Sequence, residues 1–522
     1  MTIVEGAGAA LLRGACVTLL SVAAGLLLRP LMLKVSGRAR AAAWVLLLSP
    51  YLIPTILVGY AYAPLALRAQ AATLRDILPP FLVSIIPDAG APPAGGLLGA
   101  SLWEFLYAGL LLLRFVPLVT LVLCIAPRSC STEAALCHRL LAPKWSLPKR
   151  AAAAVTFWLS GEGRSVVVAF AVVFLFAFAD FELATLLNAS NASTWTITLF
   201  DAQKGGVPVG QTLGLALAPL LCEIALLILI VVMLIPPRAG LASETLAAAI
   251  FPPPSREAGP IWRQAGLWTW LFLAAGVMVV APAAVVLGGA VKGFSLAMTD
   301  RVIAKDITAG LLFAGATALC AYLIAGARVS PGEPTDPAQP GSRALGRLAA
   351  LAISIPGLFG GLVLGLVVQF LFLRHALNWA YDTPIPIVIA LVALILPFAL
   401  LLRILLRAFR QGEALHSATL LRVSPQSGVR RAAARLVWRL KTRRHFWAAF
   451  LLFYLAYFEL TASAILAPTG MTPVVVRLYN QMHYGQMAAL SAMVSIAFAA
   501  PFVVALAVFA AMRYVFLAKR AV

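Results

Sequence analysis

The chain has 522 residues, of which 62% are hydrophobic and only 11% are charged, and its mean hydropathy is +0.96. Soluble proteins carry about 25% charged residues, so this composition excludes a soluble globular protein and predicts a polytopic helical membrane protein. The formal net charge is +21. The basic residues lie in short loops between apolar runs, which is typical of membrane proteins and argues against nucleic acid as a partner.

The apolar runs predict an all-α fold with about 11 (11–12) transmembrane helices. They lie at about 9–29, 41–64, 100–125, 165–187, 211–235, 266–290, 307–327, 347–372, 384–407, 447–468 and 487–512. If the N-terminus is outside, thirty of the forty Lys and Arg residues fall in the inside segments. Because basic loops mark the cytoplasmic side, the sequence predicts an outside N-terminus and a cytoplasmic C-terminus.

The tripeptide Phe-Glu-Leu occurs in the fourth and the tenth predicted spans, with its carboxylates at Glu182 and Glu459. A carboxylate in a membrane segment costs roughly 2.5 kcal/mol or more, so its recurrence indicates an internal repeat. Leu199-Phe200-Asp201 and Leu478-Tyr479-Asn480 follow the two motifs at nearly equal spacing. Six crossings separate the glutamates, and this even number predicts two parallel homologous halves with a pathway between them.

A Pro-rich segment separates the halves and predicts the domain boundaries. The stretch "PPRAGLASETLAAAIFPPPSREAGP" (236–260) cannot bury a core, so we interpret it as a linker. The resulting division is a first transmembrane domain at 1–235, a cytoplasmic linker at 236–265 and a second transmembrane domain at 266–522.

Each half also carries a basic inside loop with a Glu-Ala element, "TEAAL" (132–136) and "GEALH" (412–416). This layout, together with the stretch 455–485, resembles the binding-protein-dependent permeases of ABC importers. It is most similar to the fused two-domain, ferric-iron-type branch, which is not sharply separated from thiamine and phosphonate permeases. The resemblance implies a permease subunit of an ATP-driven importer in the bacterial inner membrane. Its solute, with ferric iron as the first guess, would come from a periplasmic or extracellular binding protein.

In that family the Glu-Ala-Ala loop forms a coupling helix that docks into the ATPase subunit. The residues that match the motif here are Glu133, Ala134, Ala135, Glu413 and Ala414. Leu415 replaces the second alanine of the second loop, and neither loop has the family's glycine six positions after the glutamate. The resemblance therefore implies either docking through both loops with an altered turn, or loops that suit an unusual ATPase partner.

The chain contains no GxxxxGK[ST] sequence, so it is not expected to bind ATP phosphates as a P-loop protein does. We expect no enzyme activity and no cofactor in this chain, with ATP bound by a cytoplasmic ABC ATPase dimer. The basic run at 422–447 fits docking to that partner, although it also fits anchoring to anionic membrane lipid.

Several alternatives stay open on the sequence alone. A secondary transporter with parallel repeats, driven by an ion gradient, would have a similar layout. A membrane-embedded enzyme would need an acidic or histidine cluster, and none stands out. Glu182 and Glu459 fit either a pathway or a structural role. The two bases within spans, Arg13 and Arg114, could pair with a carboxylate such as Glu104 or Glu223, or reach the interface.

Overall fold

The computed structural model describes residues 3–71, 97–125, 136–137, 140, 146–187, 194–234, 261–299, 301–329, 349, 352–408, 412–483 and 487–518. Over these residues all regular secondary structure is helical, without a strand. This agrees with the apolar runs, because a chain in lipid must satisfy its backbone hydrogen bonds internally. The chain divides into two compact units, Met1–Ala284 and Val285–Val522.

The first unit is built from a series of helices that we number in chain order. They are α1 (Ile3–Lys34), α2 (Gly37–Leu52), α3 (Thr55–Ala71), α4 (Leu97–Ile125), α5 (Leu147–Ser160), α6 (Glu162–Phe178), α7 (Glu182–Leu186), α8 (Trp195–Lys204), α9 (Val209–Leu215), α10 (Leu217–Leu234) and α11 (Ile261–Ala275). A π-helical turn (Gly276–Val280) leads from α11 into α12 (Ala281–Thr299), which continues into the second unit.

The second unit continues the series. Its helices are α13 (Arg301–Val329), α14 (Gly360–Phe372), α15 (Pro384–Ala408), α16 (Gly412–Leu421), α17 (Ser427–Val437), α18 (Arg443–Tyr457), α19 (Thr461–Leu466), α20 (Val474–His483) and α21 (Met487–Ala518). A 3₁₀ turn (Ile355–Leu358) precedes α14, and a π-helical turn (Trp438–Thr442) joins α17 to α18.

Among the described residues, seven helices are long and apolar enough to cross a membrane, or up to ten if each bent helix pair is one span. All ten coincide with predicted spans. The bent pairs are α2 with α3 at 69°, α9 with α10 at 61°, and the segment before α14 with α14 at 110°. The tenth predicted span, 447–468, is broken into α18 and the six-residue α19. The count of about 11 stays a prediction.

Proline and glycine account for two of the bends. Pro54 separates α2 from α3, as expected from a ring that removes a backbone donor and clashes with the preceding turn. Pro356 lies in the 3₁₀ turn before α14, and Gly360 adopts a positive φ of 80° there. Only glycine adopts that conformation without a steric penalty, so the sequence itself determines where this segment turns.

In the first unit, α1 packs against α4 and α6, while α3 packs against α4 and α7. α10 packs against α6, and α8 packs against α1. α11, which follows the predicted linker, packs against α2 and α1. This last contact explains why the compact unit extends beyond the predicted end of the first domain at 235, although the division by homology stays a prediction. A core cluster joins α1, α2, α4 and α11 through Leu28, Met32, Ala43, Leu47, Val116, Cys124, Leu267 and Leu271.

In the second unit, α13 packs against α15 and α18, while α14 packs against α15 and α19. α20 packs against α13 and α21, and α16 packs against α17. One core cluster joins α13, α14, α15 and α19, and its largest members are Phe313, Leu364, Phe372, Ile387, Leu391 and Leu466.

Large apolar side chains also cover the outward faces of the spans, such as Phe105 at 80% exposed and Val503 at 64%. Such faces are suited to lipid.

Candidate functional site

Both Phe-Glu-Leu motifs lie where a helix breaks and restarts. In the first unit α6 ends at Phe178 and α7 begins at Glu182. In the second unit α18 ends at Tyr457 and α19 begins at Thr461, directly after the motif. The first turn of any helix contains backbone N–H groups without an intrahelical partner. In an apolar environment each such group needs an acceptor, and a carboxylate supplies one.

Glu459 supplies that acceptor in the second unit. Its side chain is buried at 8% exposure. The Oε1 atom accepts a hydrogen bond from the backbone N–H of Ala462 at 3.0 Å, and Oε2 accepts one from Ser463 at 3.2 Å. Hydrogen bonds to an ionised acceptor are stronger than neutral ones. The carboxylate therefore stabilises the restart of the helix at this break.

In the first unit a different carboxylate, Asp180, accepts from the first turn of the restarted helix. Asp180 Oδ2 accepts from the backbone N–H of Ala184 at 3.2 Å and from the hydroxyl of Tyr107 at 2.7 Å. Glu182 instead accepts a hydrogen bond from the hydroxyl of Thr55, the first residue of α3. Identical motifs thus have different partners: the motif glutamate bonds the first turn of α19, whereas the acceptor for α7 lies two residues before the motif glutamate.

Glycines bring a second helix close to each break. A Cβ atom built on Gly365 of α14 would lie 3.1 Å from Ile465 Cδ1 and 3.4 Å from the Cα atom of Ala462. A Cβ atom on Gly361 would collide with Glu459 Oε1. In the first unit, a Cβ atom on Gly59 would lie within 3.0 Å of side-chain atoms of Leu186 in α7. Small residues let helix backbones approach closely in membranes.

An ion pair links α1 to α4 beside the first break. Arg13 donates to Glu104 through Nε at 2.8 Å and Nη2 at 2.5 Å. The guanidinium also lies 4.7 Å from the centre of the Tyr107 ring, and the hydroxyl of Tyr107 reaches Asp180. The arginine side chain is 4% exposed and that of the glutamate 38%. Sequence reasoning left the partner of Arg13 open, and the structure assigns Glu104.

Arg114 and Glu223, whose partners the sequence also left open, do not pair with each other in the described part of the chain. Arg114 interacts electrostatically with Asp180, while its Nε atom is buried and has no hydrogen-bond partner among the described residues. Glu223 lies in α10, where its side chain is fully buried, and neither carboxylate oxygen has a hydrogen-bond partner in the described part of the chain. Among the described residues, Glu223 therefore lacks the hydrogen-bond donors that the carboxylates at the helix breaks have.

The second Glu-Ala element lies at the start of a separate short helix. Glu413 and Ala414 lie in the first turn of α16, a ten-residue helix between the predicted spans at 384–407 and 447–468. Leu415 and Ala418 pack against Val437 of α17 and are buried. Ala414 is exposed, Leu420 is 62% exposed, and Val423 just beyond the helix is 85% exposed. One face of α16 is thus attached to α17, and the other is open.

The first Glu-Ala element, Glu133, Ala134 and Ala135, lies outside the described residues. The described helix that follows it, α5, exposes Leu147 at 82%, Val155 at 55% and Trp158 at 48%. Of the residues in these sites, sequence reasoning missed Asp180 and Thr55. A second acidic residue two positions before Glu182 was the available signal for Asp180, and only the fold brings Thr55 near.

Comparison with models of known protein families, with curated proteins and with solved structures finds no match for this chain.

Proposed function

We propose that this chain is the transmembrane permease subunit of an ATP-driven ABC importer of the bacterial inner membrane, with two fused permease domains. The observation that carries the proposal is the open face of α16. A cytoplasmic loop needs only basic residues to set the orientation of the protein in the membrane. Here the loop also contains a helix that exposes Leu420, with Val423 exposed just beyond its end, and an exposed helix face with apolar side chains is suited to insertion into a groove of a partner protein.

The attachment of α16 suits the transmission of motion. Leu415 and Ala418 join it to Val437, and the same cluster includes Phe516 of α21. α17 continues through a π-helical turn into α18, which leads to the break at Glu459. A partner that moved α16 would therefore act on a continuous packed path toward that break. In this proposal a cytoplasmic ATPase dimer binds ATP and moves the loops. The change is driven by the difference in ATP affinity between two states of that partner.

The two units support the homology of the halves, because helix contacts recur in the same order. The pairs α1–α4, α1–α6, α3–α4 and α3–α7 correspond to α13–α15, α13–α18, α14–α15 and α14–α19. Prolines give the register: aligning Pro117 with Pro397 brings the buried Leu111 and Val119 onto the buried Leu391 and Ala399. We propose that the halves are parallel repeats around one pathway, with the N-terminus outside and the C-terminus in the cytoplasm.

The proposed identity of the solute rests only on the family resemblance. Ferric iron delivered by a periplasmic or extracellular binding protein is the first candidate, and thiamine, a phosphonate or a polyamine would use the same architecture. A delivered solute needs no tight site in the permease. Within the described residues there is no group of three or more His, Cys, Asp or Glu side chains that could hold a metal ion, so iron would be cargo here.

Co-purification from native membranes in mild detergent, followed by mass spectrometry, tests the proposal. A P-loop ATPase should accompany the wild-type chain. It should be lost from Ala414→Arg, which adds bulk and charge to the open face of α16, and from the double variant Glu133→Arg/Glu413→Arg. Ala432→Arg is the matched control, because Ala432 is an exposed alanine on the neighbouring α17.

Two outcomes would contradict the proposal. The ATPase could be retained by Ala414→Arg and lost from Ala432→Arg, which would move the docking surface to α17. Alternatively, the wild-type chain could purify alone and move solute in vesicles on an ion gradient without ATP, which would establish the secondary transporter instead.

A further inference from the structure

The carboxylate of Glu223 has no role in the proposed coupling path, although it is the most completely buried acidic side chain described. Its exposure is 0%, compared with 8% for Glu459 and 4% for Asp306. Glu459 bonds two backbone amides, and Asp306 pairs with Arg477 at 3.4 Å. Within the part of the chain that the structure describes, both oxygens of Glu223 lack such partners. Placing an unpaired ionised carboxylate in an apolar interior is so costly that the group takes up a proton instead.

The direction of the side chain is set by α10. Pro219, Glu223, Leu227 and Ile230 are buried, and their spacing places them on one face of the helix. Residues between them are exposed, such as Leu221 at 67%. Because α10 packs against α6, α9 and α1, the carboxylate points into the helix bundle and away from the outer surface of the unit.

No charge on α6 or α9 neutralises the carboxylate. The charged residues of α6 are Glu162 and Arg164 in its first turn. Arg164 donates to the backbone carbonyl of Met233, near the end of α10. Ten residues separate Met233 from Glu223, which is about 15 Å along a helix. α9 and α10 contain no other charged residue.

The charges of α1 are engaged elsewhere as well. Arg13 is bonded to Glu104, and Arg29 interacts with Cys124. Glu5 and Lys34 lie in the first and last turns of α1. Among the described residues, no charged side chain of α1, α6 or α9 donates a hydrogen bond to Glu223.

A comparison inside the chain shows that the helix position does not require an acid. Pro219 and Pro501 begin matching stretches of α10 and α21, and in this register Glu223 corresponds to Ala505. Both prolines are buried, as are Glu223 and Ala505, while the residues directly after each of the latter two are exposed. An alanine therefore fills the corresponding buried position in α21, and packing alone does not explain a glutamate in α10.

We propose that Glu223 is a proton-binding site within the first unit. The side chain is held as the neutral acid while α10 packs on α6, and it releases its proton when that packing opens and water reaches it. A proton is the ligand that fits, because a metal ion would need several donor atoms and no group of donors is present among the described residues. This inference does not depend on the partner ATPase.

Infrared spectroscopy of the purified protein at neutral pH in D₂O tests the proposal directly. The wild-type spectrum should contain the C=O band of a protonated carboxyl that is absent from Glu223→Gln. The variant Glu223→Ala, which copies the alanine found at Ala505, should lose the same band and serves if the glutamine variant does not fold. Loss of carboxylate bands in the variants, with no change in the acid region, would overturn the proposal.

Equilibrium unfolding in mixed micelles gives a second readout. A group that is neutral in the folded state and ionised in the unfolded state contributes stability that is lost as the pH rises. Above the ordinary carboxyl range, about pH 4.3, the wild-type unfolding constant should increase relative to that of Glu223→Gln by up to tenfold per pH unit. Parallel pH profiles for the two proteins would refute a buried proton.

Discussion

The acceptor role of Glu459 gives the sharpest test of the structure, through the variant Glu459→Ala. The substitution removes the acceptors of two backbone N–H groups, those of Ala462 and Ser463. A buried donor left without a partner costs about 1–3 kcal/mol, and the loss of a helix cap typically costs about 1 kcal/mol. We expect the free energy of unfolding to fall by about 2–4 kcal/mol, as the sum of two donors near the lower end of that range.

Equilibrium unfolding in mixed detergent micelles, followed by circular dichroism, measures this loss. Glu459→Gln retains one acceptor oxygen and should lose roughly half as much, since a neutral acceptor makes a weaker hydrogen bond. Exchange of the amide hydrogens at 462 and 463 should be faster in Glu459→Ala. An alanine variant as stable as the wild type, with unchanged exchange at these amides, would refute the acceptor role.

The two identical motifs should respond differently to the same change. In the first unit the acceptor for α7 is Asp180, which also bonds Tyr107, whereas Glu182 bonds the Thr55 hydroxyl. Asp180→Ala should therefore destabilise the protein by more than Glu182→Ala, by about 1 kcal/mol or more. A larger loss from Glu182→Ala would mean that the motif glutamate holds the helix restart in both units.

Three further substitutions test separate contacts. Glu104→Gln leaves the buried Arg13 charge without its ion-pair partner. It should lower the free energy of unfolding by about 1–2 kcal/mol in the same micelle assay, less than for a fully buried pair because the Glu104 side chain is 38% exposed. An unchanged value would contradict the pairing. Gly361→Ala should destabilise the protein because its Cβ atom collides with Glu459, and a double variant that also carries Glu459→Ala should lose less than the sum of the single losses. Leu415→Ser should accelerate hydrogen exchange within α16 while leaving global unfolding nearly unchanged, and equal exchange in wild type and variant would show that the contact with α17 is not needed.

Much of the helical layout could be predicted from apolar run length, because lipid leaves the chain few alternatives. The break inside the predicted span 447–468 was not predicted. Proline and glycine are the usual markers of such a break, and residues 458–460 contain neither. The break depends on a tertiary arrangement in which Glu459 bonds the next helix turn and Gly361 makes room for it. Sequence reasoning identified the glutamate and gave it two possible roles.

The Arg13 pairing illustrates a second limit of sequence reasoning. Glu104 and Glu223 both lie in apolar runs, so charge alone gave no preference between them. The choice follows from helix packing, since α1 contacts α4 extensively and α10 only slightly. Asp180 was overlooked for a related reason, because its partner Tyr107 lies 73 positions away. Long-range pairs of this kind become visible only when the helices are placed.

A break in a membrane helix is often regarded as a hinge, but the contacts at the join between α18 and α19 make it rigid. Bending it would require Glu459 to release two backbone amides at the same time as α14 moved away from Ala462. The join is stiff because these contacts must all break together. A displacement of α18 would then be transmitted to α19, and little of it would be absorbed by bending at the join.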